Sequence, residues 1–170
     1  MLKVQGVEVR RAVPTDVPGI LPFVESICAF HHEIDPSLFD YLDDVLERYE
    51  RWLPERAKDP RSVLLVAQRT ESDGLRPVHD LIGFAVATVE AEVPIYHVHE
   101  YGFIHDTWVE PAWRGRGIGR ALIAQTLAAF SEMGVKQVRL DTARGNESAR
   151  ALFRGLGFRE GVMRMVRDMP

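Results

Sequence analysis

Cysteine is nearly absent from this chain of 170 residues: Cys28 stands alone. An internal disulfide is excluded. The composition suits a reducing compartment, and a cytoplasmic location is expected. The apolar setting of Cys28 marks it as a small buried hydrophobe rather than a nucleophile. No apolar run is long enough to span a bilayer, so no membrane partner is expected. Met1 to Arg10 hold no extended apolar core, and no signal peptide is expected. Repeats and low-complexity tracts are missing too. Positive charge is in deficit: the formal net charge is −4, which argues against a nucleic-acid partner. What is present is 46% hydrophobic residues, which suits one globular domain over residues 1–170 with a real core.

Patterning gives the order of elements. Val7 to Val13 reads as a strand. Thr15 or Asp16 caps a helix to about His31, which Asp35-Pro36 breaks. A second helix is expected from about Leu38 to Arg56, with Leu38, Tyr41, Leu42, Val45, Tyr49, Trp52 and Leu53 as its apolar side. Strands follow at 62–68 and 81–89, separated by a polar turn at Ser72–Gly74 and Pro77. Pro94 interrupts an irregular stretch. Then come a strand at 101–109, a helix at 118–133, a strand at 137–142, a helix at 146–156 and a last strand near Val162–Val166. The order is β-α-α-β-β-β-α-β-α-β. Periodicity alone gives an α/β or α+β chain with a single sheet.

Between the 101–109 strand and the 118–133 helix lies Val109-Glu-Pro-Ala-Trp-Arg-Gly-Arg-Gly-Ile-Gly119, followed by Arg120. Glycines let a backbone adopt positive φ and approach a ligand. Helix-start amides and turn nests attract anions. Residues 114–120 hold three arginines and no carboxylate, so this turn reads as a phosphate or pyrophosphate cradle. The dinucleotide fingerprint fails, because its third glycine position, counted from Gly115, is Arg120. No P-loop sequence occurs, and the kinase glycine loop lies between strands rather than before a helix. The plainer reading is a tight turn with surface arginines, but such a turn does not need three glycines in five residues.

What remains, Val109-x-Pro111-x-x-Arg114-Gly-x-Gly117-Ile-Gly119, resembles the acetyl-CoA signature of the GCN5-related N-acetyltransferases (GNAT). A second block supports it: Asn146-x-x-Ala149-x-x-Leu152-Phe153-x-x-x-Gly157-Phe158 is similar to the family's second motif. Asn146 is also a good N-cap, and Gly157 suits a left-handed helix stop. The resemblance covers residues 101–160 well. It implies a single mixed, mostly antiparallel sheet with a splayed parallel strand pair. It implies direct transfer of an acetyl group from acetyl-CoA, as co-substrate, to a primary amine of a small molecule or protein, in a ternary complex. Thr107, Trp108 and Val109 would offer strand backbone to the thioester and pantetheine. Arg114, Gly115, Arg116, Gly117, Ile118, Gly119 and Arg120 would take the pyrophosphate. Asn146 would contact the arm, and Ala149 and Phe153 would line it. Relatives commonly have Tyr where this chain has Phe153, and Phe has no proton to give. The alternative is therefore a non-catalytic CoA-binding sensor or interaction module.

The incoming amine must lose a proton. Counted back from Val109, residues 107, 105 and 103 share one strand face, which puts His105 where relatives carry a strand-borne base. Asp141 lies five residues before Asn146, where some relatives have an acidic group. For each, the plain alternative is a structural polar residue on a strand. His97 and His99 share parity with His105, but they span a bend and the family resembled needs no metal; none is expected. His31-His32-Glu33 and Asp35 fall where relatives bind acceptors. From Glu33 to Glu50 there are seven carboxylates and one arginine. That run reads as a funnel for a cationic amine or as a solvated helix face. A two-fold homodimer would be unsurprising, though no interface is visible in the sequence.

Overall fold

A computed structural model describes residues 4–70 and 81–169. The expected Ser72–Gly74 and Pro77 turn lies outside the described residues. The elements are β1 (Val7–Arg11), α1 (Val17–Ile34) after a 3-10 turn at Pro14–Asp16, α2 (Val45–Lys58), β2 (Ser62–Arg69), β3 (Leu81–Ala91), β4 (Glu100–Val109), α3 (Ile118–Glu132) after a 3-10 turn at Pro111–Trp113, β5 (Val138–Leu140) and α4 (Glu147–Arg154). The strands form one sheet in the order β1-β2-β3-β4-β5. All neighbours are antiparallel except β4 and β5, which run parallel.

Helices cover both faces, so β2 and β3 are continuous apolar runs rather than alternating ones. Leu64, Val66, Phe84 and Val86 pack with Ile20, Phe23, Val24 and Leu53 on the α1–α2 face. Val63, Leu65, Ala85 and Ala87 pack with Ile118, Leu122, Ile123 and Phe130 on the α3 face. The helix faces follow from spacing: Val17, Ile20, Phe23, Val24 and Ile27 of α1 recur on one stripe and are buried. Gly102 carries no side chain because Phe130 lies on it; an added Cβ would sit 2.6 Å from the ring.

One irregularity in β4 shapes everything that follows. Its pairing with β3 jumps from Val86↔Asp106 to Ala87↔Ile104, leaving His105 as an extra residue. A bulge of this kind shifts the face of every later side chain by one. Ile104 lies in the α3-side core and Val109 packs against it, whereas Trp108 packs into the α1–α2 side. Thr107 is opposite Ala85, an α3-side residue. His105 instead touches Trp52 of α2, and Asp106 touches Tyr49 of α2. The expected common face for 103, 105 and 107 is thus corrected: 103 and 105 share a face, and 107 is on the other.

Three further expectations are corrected. Residues 36–44 are not helical; α2 starts at Val45, and Leu38 and Leu42 are exposed. The helix begins where Leu46, Tyr49 and Trp52 gain a core to pack against. The 137–142 strand is only three residues long. The last strand near Val162–Val166 does not form, and Val162, Met163 and Met165 are exposed. So short a β5 offers little ladder for a further strand to join.

Candidate functional site

β4 and β5 pair only at Gly102↔Val138, Phe103↔Arg139 and Ile104↔Leu140. Past the bulge the two strands part, and β4 turns a free backbone edge toward a cleft of about 450 Å³. Its walls come from β4, the turn after it, the start of α3, the end of β5, α4 and the inner side of α1. The cleft brings together His105, Thr107, Trp108, Val109, Arg114, Gly115, Gly117, Ile118, Gly119, Arg120, Asp141, Asn146, Ala149 and Phe153. Of the expected site residues, Arg116 alone is off this wall. Its guanidinium lies 4.6 Å from the Trp113 ring centre and donates to the Ala112 carbonyl at 3.4 Å.

The turn has the conformation of a cradle. Gly115 and Gly117 have φ of 75° and 83°, which a side chain would strain. A Cβ at either would meet nothing within 4 Å, so it is backbone shape, not crowding, that requires glycine there. The first helical bond of α3 runs from the Ala121 amide to the Gly117 carbonyl. The amides of Ile118, Gly119 and Arg120 therefore have no acceptor within the helix. Arg114 is held by the Val109 carbonyl (2.9 Å) and lies 4.5 Å from the Trp108 ring centre. Arg120 donates to the Gly155 carbonyl at 2.9 Å and so ties α3 to the end of α4. The buried Thr107 hydroxyl and Trp108 indole nitrogen have no partner among the described residues. Buried polar atoms are seldom left so, and both border the cleft. These features fit a diphosphate with an amide-bearing arm.

α4 presents the opposite wall. The Asn146 side chain accepts from the Ala149 amide at 3.1 Å and caps the helix. At its far end the amides of Gly157 and Phe158 bond to the carbonyls of Arg154 and Phe153, with Gly157 at φ 90°. That is the glycine stop expected from the sequence. Phe153 packs edge-on against Phe158, with ring centres 5.6 Å apart.

Three ionisable groups reach the cleft, two from β4 and one from just past β5. His105 Nε2 lies 2.6 Å from the Thr88 hydroxyl, which donates to Glu90 at 2.5 Å. With that proton committed to Glu90, Nε2–H is the donor to Thr88, and Nδ1 keeps its lone pair. Burial pushes the imidazole below its ordinary pKa, and the charge of Glu90 opposes the shift. Asp141 is 67% exposed and paired with Arg164 at 3.0 Å. Asp106 was not among the sequence-expected residues. It accepts from the Tyr49 hydroxyl at 2.7 Å. Desolvation raises its pKa, and the Tyr49 bond partly offsets this. The Tyr49 hydroxyl is itself held far above its usual range, chiefly by burial. Alternation fails in this strand, where three polar residues, His105, Asp106 and Thr107, lie between the apolar pairs Phe103-Ile104 and Trp108-Val109. A bulge accounts for one such break, and which residue it falls on is set by the register against β3.

Around this end of the cleft, Phe30 of α1 meets Trp108 edge-on at 6.3 Å, and His31 Nδ1 lies 3.2 Å from the Tyr41 hydroxyl. Burial lowers the His31 pKa, raises Cys28 to about 11 and raises Tyr41 to about 12. All three are neutral at pH 7. Cys28 is half-buried and protonated, as befits a packing residue. Among the described residues, no group of three or more His, Cys, Asp or Glu side chains could hold a metal ion. No helix among them is long and apolar enough to cross a membrane.

Comparison with known proteins agrees with this geometry. Residues 27–158 match the Acetyltransferase (GNAT) family. The chain is 30% identical to an uncharacterised N-acetyltransferase of Archaeoglobus fulgidus over 86% of this chain and 88% of that one. It is 38% identical to an uncharacterised Mycobacterium leprae protein over 85 residues, half of this chain, and spans only 22% of that protein's length. In fold it is similar to a predicted acetyltransferase of Clostridium acetobutylicum solved with acetyl-CoA. The TM-score is 0.71 at 17% identity, over 95% of this chain and 96% of that one.

Proposed function

The chain belongs to the GNAT acetyltransferase family, and from that premise we propose that it moves an acetyl group from acetyl-CoA to a primary amine by direct attack in a ternary complex. The observation that carries the reading is the positive-φ cradle of Gly115 and Gly117 at the mouth of a cleft opened by the parting of β4 and β5. The cradle amides and Arg114 take the diphosphate, with Arg120 at the same wall. The free edge of β4 from Thr107 to Val109 pairs with the pantetheine amides and offers an N–H to the thioester oxygen. Asn146, Ala149 and Phe153 line the arm.

In the reaction the amine nitrogen bonds to the carbonyl carbon and the C–S bond breaks. One amine proton goes to a base and the thiolate is protonated on release. Holding both reactants in place can supply about 7–11 kcal/mol of the barrier, so proton transfer needs modest help. His105 suits the base: it is neutral, with Nε2 engaged by Thr88 and no hydrogen-bond partner on Nδ1 among the described residues. Asp141 lines the cleft from just past the end of β5 and contributes at its rim. Phe153 keeps a second reading in play, a CoA-binding module without turnover, because it cannot protonate the leaving thiolate.

Free thiol release from acetyl-CoA across a panel of primary amines, with CoA binding followed by calorimetry, separates the two. Turnover that falls in His105→Ala or Asp141→Asn is expected. Tight CoA binding with no thiol release on any amine would leave the module reading standing. Gly117→Ala should weaken CoA binding about 5- to 30-fold, because the free loop relaxes out of the φ of 83° and restoring it costs a side chain on the order of 1–2 kcal/mol.

A further inference from the structure

The cleft is electrically divided. Arg114 and Arg120 stand at the cradle, and at the α1–α2 side one carboxyl, Asp106, lies on the cleft wall near the apolar side chains of Ile27, Phe30 and Trp108. The bulge at His105 is what turns Asp106 to this side; without it the carboxyl would face the other core. Tyr49 fixes it with a 2.7 Å hydrogen bond from α2. The carboxyl has no salt bridge among the described residues, although nine Arg–carboxylate pairs occur elsewhere in them.

We propose that Asp106 receives the ammonium group of the acceptor, that Tyr49 positions it, and that the acceptor is a primary amine carried on a slender, largely apolar arm. This rests on the acetyltransferase reading and names the substrate class of the same site. A carboxylate removed from water gains strongly from a charge-assisted bond to an ammonium that comes to it. An apolar throat accepts the methylenes or aromatic ring of such an arm. It disfavours a polyhydroxylated amine: the Trp108 indole N–H can serve one hydroxyl, but Ile27 and Phe30 offer no polar partner, so the remaining hydroxyls would lose water unpaired. The division of charge also orients the ternary complex, with the diphosphate at the arginines and the ammonium at the far end. His105, on the same face and one residue away, is then placed to take the proton of an amine already anchored.

Asp106 must be ionised to do this, so it sets an acid limb in kcat/KM. The groups facing it are Cys28 and His31 from α1, Tyr41 from the segment before α2, Tyr49 from α2 and His105 from β4; from β3, Val86 is opposite and uncharged. Cys28 and Tyr41 stay neutral through this range. His31 and His105 titrate alike in wild type and in Tyr49→Phe, so the difference between the two reports on Asp106. Removing the Tyr49 hydrogen bond removes a stabiliser of the carboxylate, and the limb moves to higher pH.

The test compares wild type, Asp106→Asn and Tyr49→Phe by thiol release with phenethylamine and with kanamycin, alongside CoA calorimetry. For Asp106→Asn, a KM for phenethylamine raised at least tenfold, with kcat changed less and CoA affinity within twofold, is expected. For Tyr49→Phe, the acid limb should shift upward. Wild type should prefer phenethylamine over kanamycin at least tenfold in kcat/KM. An Asp106→Asn KM within twofold of wild type overturns the anchor, and a kanamycin preference overturns the substrate class. Should Asp106→Asn fail to bind CoA, Tyr49→Phe decides, and an unmoved limb overturns the assignment. Wild type that binds CoA but acetylates no amine brings down the acetyltransferase reading itself, and the anchor with it.

Discussion

His105 shows how one residue's surroundings set its chemistry. Trp52 and Phe103 stand edge-on to its ring at 5.3 and 5.0 Å, and its Nε2 is held by Thr88. The folded imidazole resists protonation, while the unfolded one has a pKa of about 6.5. Between those values the unfolded chain binds more protons, so stability rises with pH there. The contribution is complete above about pH 6.5 and is lost as pH falls through the lower folded value. Thermal melts from pH 8 down to 5 should therefore show a loss of stability that is smaller in His105→Gln. An identical slope in both proteins would contradict an imidazole held neutral by the rings and the hydroxyl around it. His31 has the same sign and remains in both proteins, so the difference isolates His105.

At the scale of elements, two contacts hold the walls of the cleft at their spacing. Asn146 caps α4, and its replacement by Ala should cost about 1 kcal/mol in urea unfolding, as N-caps do, while Asp should restore most of it. Gly102 lets Phe130 of α3 lie flat on β4 where β5 begins to pair. Gly102→Ala should destabilise by about 1–3 kcal/mol, because a ring with no exposed surface has nowhere to move. A change below half of the lower figure would show that Phe130 is looser than its burial implies. These local devices are also what a sequence displays well. Gly115, Gly117 and Gly157 announce positive φ, Asn146 announces a cap, and the apolar stripe of α1 announces its buried face. The bulge at His105 was hidden, because it is set by the register against β3 and not by β4 alone. Asp106 stayed hidden with it. The start of α2 is hard to read for a related reason: Leu38, Tyr41 and Leu42 carry the helical period, yet each keeps more than a third of its surface exposed, and Tyr41 spends its contacts on His31 and Phe39 rather than on a helix face in the core. Likewise the apolar residues of 162–166 look like a strand, yet a three-residue β5 gives them little ladder.

Over the whole molecule, the sheet acts as a frame that separates two tasks. On its α3 side it supports the cradle, and on its α1–α2 side it supports the amine throat. The bulge in β4 passes the backbone from one to the other. The chain as a whole carries a formal net charge of −4, yet the turn at residues 114–120 holds three arginines and no carboxylate, and two of them, Arg114 and Arg120, stand on the cleft wall. The claim that the turn after β4 grips the diphosphate of a CoA thioester carrier is the one on which the rest depends. Calorimetric titration of the full chain with CoA and, in parallel, with pantetheine and with adenosine 3′-phosphate tests it most directly, since the two fragments together keep the arm, the thiol and the nucleotide but not the diphosphate that joins them. CoA binding at least a hundredfold tighter than either fragment is expected, a gap of about 2.7 kcal/mol. Equal affinities, or no heat with CoA at all, would contradict it.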